Sequence, residues 1–295
     1  MLEMLRSRNR VVWPAVTTVV ALVLFLSTLQ ADVSASHHPY AADVGEIQNA
    51  FPRWGLIHYS GYPLYTAVGS LFTNALWLIG IEPAAGASLF STLWGAVSVG
   101  LLCTLALELG ASPSASMLGA FAVVVSQSVW VDSSLAEVHT LTLAFTVATL
   151  LFAVRFGREG NARDLILLTL FFSQGVMHQR SVVLLAPTVA LLIWPHLRVL
   201  WRHLSPVIGV SILAPLTYLY LPFRAWTGVD WVFGSPGTWS GVWAMILDNR
   251  AERIAKWPAG PTEWLENGQT TLRIITDDMW WPLLLAGLAA LLVMG

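Results

Sequence analysis

Apolar residues run along this chain in blocks long enough to cross a bilayer, each closed by a short polar stretch. The first block, residues 11–31, holds 21 residues without a charge; as a helix rising ~1.5 Å per residue it covers the ~30 Å hydrocarbon core. Further blocks fall at 86–107, 113–131, 138–156, 164–177, 181–195, 206–223 and 280–295, so about eight spans are expected. The pair within 164–195 is short and is split by His178, Gln179 and Arg180, which allows a two-helix hairpin or one bent helix. The last block, from 280 to the end, is shorter than the ~20 residues a bilayer needs; the chain is expected to stop before its natural end. Residues 63–80 carry Thr66, Ser70, Thr73 and Asn74 among apolar positions. They read as a helix lying at the membrane surface or dipping into it.

Composition agrees with the pattern. Hydrophobic residues make up 56% and charged ones 11%, and the mean hydropathy is +0.67. Too few polar side chains are present to cover a soluble globule. The fold class expected is an all-α polytopic membrane protein, a single domain over 1–295. A basic tract of the kind that binds nucleic acid is missing from the sequence. The single Cys103 excludes an internal disulfide and a cysteine-based zinc site. Arg6, Arg8 and Arg10 before the first block resemble the start of an export signal, but the block exceeds the ~7 to 15 residues of a signal core, so it reads as an uncleaved anchor.

Charge then orients the spans. With the N-terminal arginines in the cytoplasm, Arg155, Arg158, Arg163, Arg198 and Arg202 also fall inside, with only Glu3, Glu108, Glu159 and Asp164 of the seventeen acids. That distribution satisfies the positive-inside rule if 164–195 is a hairpin and 63–80 does not cross. The outer side then receives a first loop, residues 32–85, the turn 132–137, the tip 178–180 and a long loop, 225–278. Trp130, Trp226, Trp231, Trp280 and Trp281 sit near these outer ends, as an interfacial aromatic belt would.

The outer side also collects the residues suited to chemistry. Asp43 and Glu46 are three apart, so one helical turn puts both on one face, where repulsion raises one pKa and suits proton transfer, although such a pair more often marks a solvated juxtamembrane turn. Glu137 precedes the span at 138, a position that suits negative charge at a helix N-terminus. His178, Arg180 and Arg224 are protonatable or cationic groups at span ends, costly there unless paired. Arg224 also reads as a helix-end residue reaching to water. His37, His38, His58 and His139 with Asp43 or Glu46 allow an outward metal site, though their spacing fits no metal motif. Walker loop, dinucleotide fingerprint and serine elbow are all missing from the sequence.

Five motifs occur in order: Asp43-Val44-Gly45-Glu46; His58 followed by Gly61-Tyr62-Pro63-Leu64-Tyr65; Ala136-Glu137-Val138; Tyr218-Leu219-Tyr220-Leu221-Pro222-Phe223-Arg224-Ala225; and Gly234-Ser235-Pro236-Gly237-Thr238-Trp239. The series resembles a bacterial family of membrane proteins grouped with the eukaryotic transmembrane protein O-mannosyltransferases, within the GT-C superfamily of glycosyltransferases. It covers residues 40 to 255. The chain departs from the family pattern at Tyr59-Ser60, His139, Met177 and Ser235.

The resemblance implies a GT-C-like helical bundle with a helical first extracytoplasmic loop. It implies a membrane glycosyltransferase, inverting, that moves a sugar such as mannose from a polyprenyl-phosphate donor to an extracytoplasmic acceptor, such as a protein hydroxyl. Asp43 and Glu46 match the two acids of the family's first motif, at the reaction centre. Because the leaving phosphate is already a stable anion, such transfer needs a base at the acceptor and cations at the phosphate. Asp43 is expected to deprotonate the acceptor and Glu46 to orient it or the sugar, with Arg180 and Arg224 on the phosphate and His58, Tyr62, Glu137 and His178 contacting substrate. No metal and no cofactor beyond the lipid-linked donor are expected. The location expected is the bacterial inner membrane, multi-pass, with the active site extracytoplasmic. The rival reading is a transporter or flippase of a lipid-linked or anionic substrate; the inverted repeat common in carriers is not visible in the sequence.

Overall fold

The computed structural model describes residues 2–34, 39–248 and 257–279, with side chains from Val11 onward outside residues 39–42. Among these residues every regular element is helical, apart from one isolated parallel bridge between Leu56 and Val232. In chain order the helices are α1 Leu2–Leu26, α2 Pro39–Arg53, α3 Pro63–Trp77, α4 Pro83–Glu108, α5 Pro113–Val124, α6 Gln127–Ser134, α7 His139–Glu159 and α8 Ala162–His178. The chain continues through α9 Arg180–Arg202 and α10 Leu204–Trp226, each with short 3-10 turns, then α11 Trp239–Leu247 and α12 Pro261–Asp278.

Proline and polar caps fix most of the starts. Pro63, Pro83 and Pro113 each occupy a first turn, where the missing N–H costs nothing. Ser112 and Asn161 accept from Ala115 N and Arg163 N. The α7 helix stops at Gly160, whose φ of +63° closes the turn that a side chain would strain.

Side-chain contacts show which ends of the helices meet. Near one end Ser91, early in α4, bonds to the backbone of Glu137 just before α7. At the other end Arg155 of α7 holds Glu108 of α4 through two hydrogen bonds of 3.1 and 2.9 Å. So α4 and α7 run parallel, and the α5–α6 pair carries the chain back between them. His178, ending α8, reaches Val138, whereas His196 in α9 packs on Phe156 and Gly160 at the far end. Residues 164–195 are therefore a hairpin. One end of the bundle gathers α2, α3, the 135–138 turn and the 178–181 turn; the opposite end gathers Glu108, Arg155, Arg158 and the α7–α8 turn.

Eight spans are not reached among the described residues. Four helices, α4, α7, α9 and α10, are long and apolar enough to cross a membrane, and the α5–α6 pair makes five if counted as one span. That pair, expected as one segment over 113–131, bends by 69°. Ser126 Oγ donates to the Val123 carbonyl at 2.8 Å at the break, and the stretch beyond it is polar. In α1 the apolar part is Val11–Leu26 only, and α8 has 17 residues with Arg163 and Asp164 in its first turn. The expected span at 280–295 lies outside the described residues. The α3 helix, with 15 residues, is shorter than a crossing needs. Broad apolar faces of α9 and α10, including Leu184, Leu191, Trp194, Ile208 and Ile212, are exposed, as lipid contact requires.

Small residues set the closest helix approaches. Thr18 and the Pro14 carbonyl of α1 lie where a Cβ at Gly100 would stand, and Gly95 meets Ser133 and Phe25 in the same way. Gly69 of α3 does this for the functional end: the Phe51 ring of α2 occupies the space of its missing Cβ, and Phe51 packs in turn on Tyr65 and Phe90. Gly69→Val is expected to wedge α3 from α2 and to lower stability by about 1–3 kcal/mol. Thermal unfolding in detergent checks it; an unchanged melting temperature counts against close packing there.

Candidate active site

The α2 helix buries Val44, Ile47 and Phe51 completely and turns Asp43 and Glu46 away from that core. After α2 the chain reverses through Trp54, in the left-handed region at φ +56°, and Gly55, against which Trp231 packs too closely for a Cβ. This reversal lays His58 against the acids. Glu46 takes the His58 backbone N–H at Oε1, 3.1 Å, and the ring Nδ1 at Oε2, 2.5 Å. Asp43 Oδ1 stands 3.7 Å from the same Nδ1. Glu46 is thus committed to His58 and is largely covered, whereas 49% of the Asp43 side chain is open.

Burial works against a charged His58, yet the Glu46 hydrogen bond and the Asp43, Glu46 and Glu137 carboxylates outweigh it and hold its pKa above the ordinary 6.5. The His58 ring stands at the centre of an acid–imidazole–acid group. Asp43, Glu46 and His58 each offer one ligand atom within 4.8 Å of the others, a spacing at which a cation could be held. The 2.5 Å contact, however, already commits the His58 nitrogen to Glu46. His37 and His38 lie outside the described residues, and His139 sits with Asp132 and Glu137 instead.

Tyr62 links this group to the 178–181 turn. Its backbone is left-handed at φ +41°, a sparsely populated conformation for a side chain of this size. Its ring meets those of His58 and His178 edge-on at 5.6 and 5.1 Å, and its hydroxyl lies 3.4 Å from Gln179 Oε1. His178, placed by the sequence at the hairpin tip, is buried among Tyr62, Tyr65 and Phe145, with Nε2 3.0 Å from the Val138 carbonyl.

Glu137 is also buried. Burial pushes its pKa up to about 7, with Asp132 and Asp43 adding to the rise and His139 and His58 opposing it. His139 Nδ1 lies 3.6 Å from its Oε2 and 3.4 Å from Asp132 Oδ2. The Glu137 backbone is fixed by Ser91, whose hydroxyl also meets Tyr65.

The two arginines stand on separate partners. Arg180 donates to the Leu247 carbonyl at 2.5 Å and pairs with the buried Asp248 at 3.5 Å. Arg224 donates from Nε to Trp54 O at 2.9 Å and from Nη2 to Arg53 O at 3.4 Å, closing the C-terminus of α2. Both thereby brace the loops around the acids. Four contributors escaped the sequence reading as site residues: Asp132, Gln179, Tyr218 and Asp248. Tyr218 bridges Ser60 Oγ at 3.2 Å and Met177 O at 2.9 Å, and its place in the motif ending at Arg224 was the available signal.

The fold and the acid–imidazole group define a polytopic helical membrane protein with a carboxylate centre at one end of its bundle. The family model described as Protein O-mannosyl-transferase TMEM260 N-terminal domain matches residues 43–199, over half of the chain, and the chain belongs to that family. It is 29% identical over 214 residues to the protein O-mannosyl-transferase TMEM260 of Mus musculus, an alignment covering 68% of this chain and 29% of the mouse protein. The chain therefore spans less than a third of that relative's length. No solved structure matches.

Proposed function

We propose that the chain is the catalytic membrane portion of a GT-C type, inverting glycosyltransferase. It moves a sugar from a polyprenyl-phosphate donor to an extracytoplasmic hydroxyl acceptor. Family membership and the name of the mouse relative support transfer of mannose to protein. The observation that carries the reading is the division of labour between the acids: Glu46 is locked onto His58, and Asp43 is left half open beside the same ring. In this reading Asp43 takes the acceptor proton as the hydroxyl attacks the sugar carbon, and the bond to the lipid phosphate breaks. Glu46 and His58 hold Asp43 in register, Arg180 and Arg224 meet the phosphate, and no metal is needed. The polar end of the bundle faces the outside and the arginine-rich end the cytoplasm.

The test is transfer of labelled hexose from a polyprenyl-phosphate donor to a hydroxyl-bearing peptide by the chain in vesicles. Movement of the intact labelled lipid across the bilayer without a new glycosidic bond would replace the enzyme with a carrier. Arg180→Ala and Arg224→Ala are each expected to raise the apparent donor KM about tenfold, as loss of one charge-assisted contact does. An unchanged KM in both removes them from the phosphate.

A further inference from the structure

Helix α12 stands outside every role assigned above. On its surface Trp264, Leu265, Gly268, Leu272 and Ile275 fall in one stripe about 100° wide, and Glu263, Glu266, Arg273 and Asp277 fall opposite. Among the aliphatic and aromatic residues Ile274 alone lies off the stripe. No residue of the helix is buried. Trp264, Leu265, Leu272 and Ile275 are 56, 62, 60 and 40% exposed, and the Trp257 ring, 6.2 Å from that of Trp264, is itself open. An apolar face of this kind calls for a cover, and the place of the helix says which. Asp278, at its C-terminal end, accepts from Ser128 N at 2.6 Å and from Ser128 Oγ at 2.9 Å, in the first turn of α6. Trp130 of α6 packs on Phe25 and donates to Thr28 where the first apolar block closes, and α6 runs on towards the 135–138 turn. The clamp therefore lies at the acid end of the bundle, at the rim of the hydrocarbon. Just beyond Asp278 the sequence enters the apolar block 280–295, so the stripe arrives where chain and lipid meet. On the polar face Arg273 pairs with Asp277 at 3.5 Å and leaves the acids in excess. Neutral, zwitterionic headgroups suit such a face better than an anionic surface.

We propose that α12 is a membrane-surface helix, with the stripe of Trp264, Leu265, Leu272 and Ile275 seated in the leaflet at the acid end and covered by zwitterionic lipid. Its last turn, pinned through Asp278, ties the start of α6 to the depth of that leaflet, and α6 carries the Asp132 that faces His139 at 3.4 Å. Seating on lipid would serve a carrier as well as an enzyme, so it stands apart from the glycosyltransferase reading.

Single nitroxides along α12 test it, in the full chain carrying Cys103→Ala and reconstituted into phosphatidylcholine vesicles. Labels at Leu265→Cys and Leu272→Cys are expected to relax with dissolved oxygen and to be shielded from a water-soluble nickel chelate. Labels at Glu266→Cys and Thr270→Cys, on the opposite face, are expected to show the reverse, with a contrast of about fivefold or more in the ratio of the two accessibilities. All four positions are exposed, so each variant is expected to melt with its Cys103→Ala parent. Adding Leu272→Glu to the Leu265→Cys chain is expected to open that label to the chelate about three- to tenfold, because a charge does not stay among acyl chains. Equal accessibility on the two faces overturns the surface helix. A stripe shielded from oxygen and chelate alike also overturns it, since protein, from this chain or from a second copy, would then be the cover. Shielding that survives Leu272→Glu unaltered overturns it as well, because the helix would then be held without its apolar stripe.

Discussion

Asp43→Asn is expected to slow sugar transfer by two to four orders of magnitude, the usual contribution of a positioned general base, with donor binding nearly intact. The exchange keeps shape and removes the one carboxylate in the group that is half open and not hydrogen-bonded to His58. Glu46→Gln should act differently. It deprives His58 of its nearest countercharge and loosens the loop carrying Tyr62, so loss of activity should come with a lower melting temperature. Initial rates at saturating donor, with thermal unfolding of the same samples, separate the two. Full activity in Asp43→Asn would place the base elsewhere.

The second large effect is on stability. Glu137 carries a pKa raised from the ordinary 4.5 to about 7, chiefly because burial disfavours its charged form. A carboxyl raised on folding stabilises the native state fully below its unfolded pKa. That contribution is lost as pH climbs through the folded value. Between about pH 4.5 and a pH well above 7 the loss amounts to about 3 kcal/mol. Glu137→Gln removes the ionisation while keeping the volume. The variant should unfold at the same temperature as the parent near pH 4 and at a higher one at pH 8.5. His58, also raised, acts in the same sense and leaves a smaller residual slope in the variant. Parallel pH profiles for parent and variant would show that Glu137 is already ionised in the fold.

Much of the frame was legible along the chain. The blocks at 86–107 and 206–223 lie within α4 and α10, and 138–156 falls within α7 but for its first residue, because apolar runs closed by proline, glycine and arginine have few other solutions in lipid. Asp43 and Glu46 share a helix face as their spacing required. What escaped depends on contacts between distant segments. Nothing local to Arg224 announces that it will close α2, 170 positions earlier. Nothing in the 178–181 turn tells that His178 will be enclosed by three aromatic rings from α3, α7 and the residue before α3. The bend between α5 and α6 was hidden because Val129, Trp130 and Val131 carry the uncharged run past Ser126 as far as Asp132.

The bridge between Leu56 and Val232 joins the turn that carries His58 to a loop more than 170 residues later, through backbone hydrogen bonds of 2.8 and 3.1 Å. Glu46 and the residues of that later loop, Trp231, Val232 and Phe233, line one cavity. A main-chain tie carries no side-chain identity, so Val232 is free to vary while still fixing where His58 stands, whereas Trp231 and Phe233 are held by their packing on Gly55 and Tyr59. Substrate preference and catalytic geometry can therefore drift independently, the first through exposed side chains on the strap and the second only if its backbone is cut or lengthened.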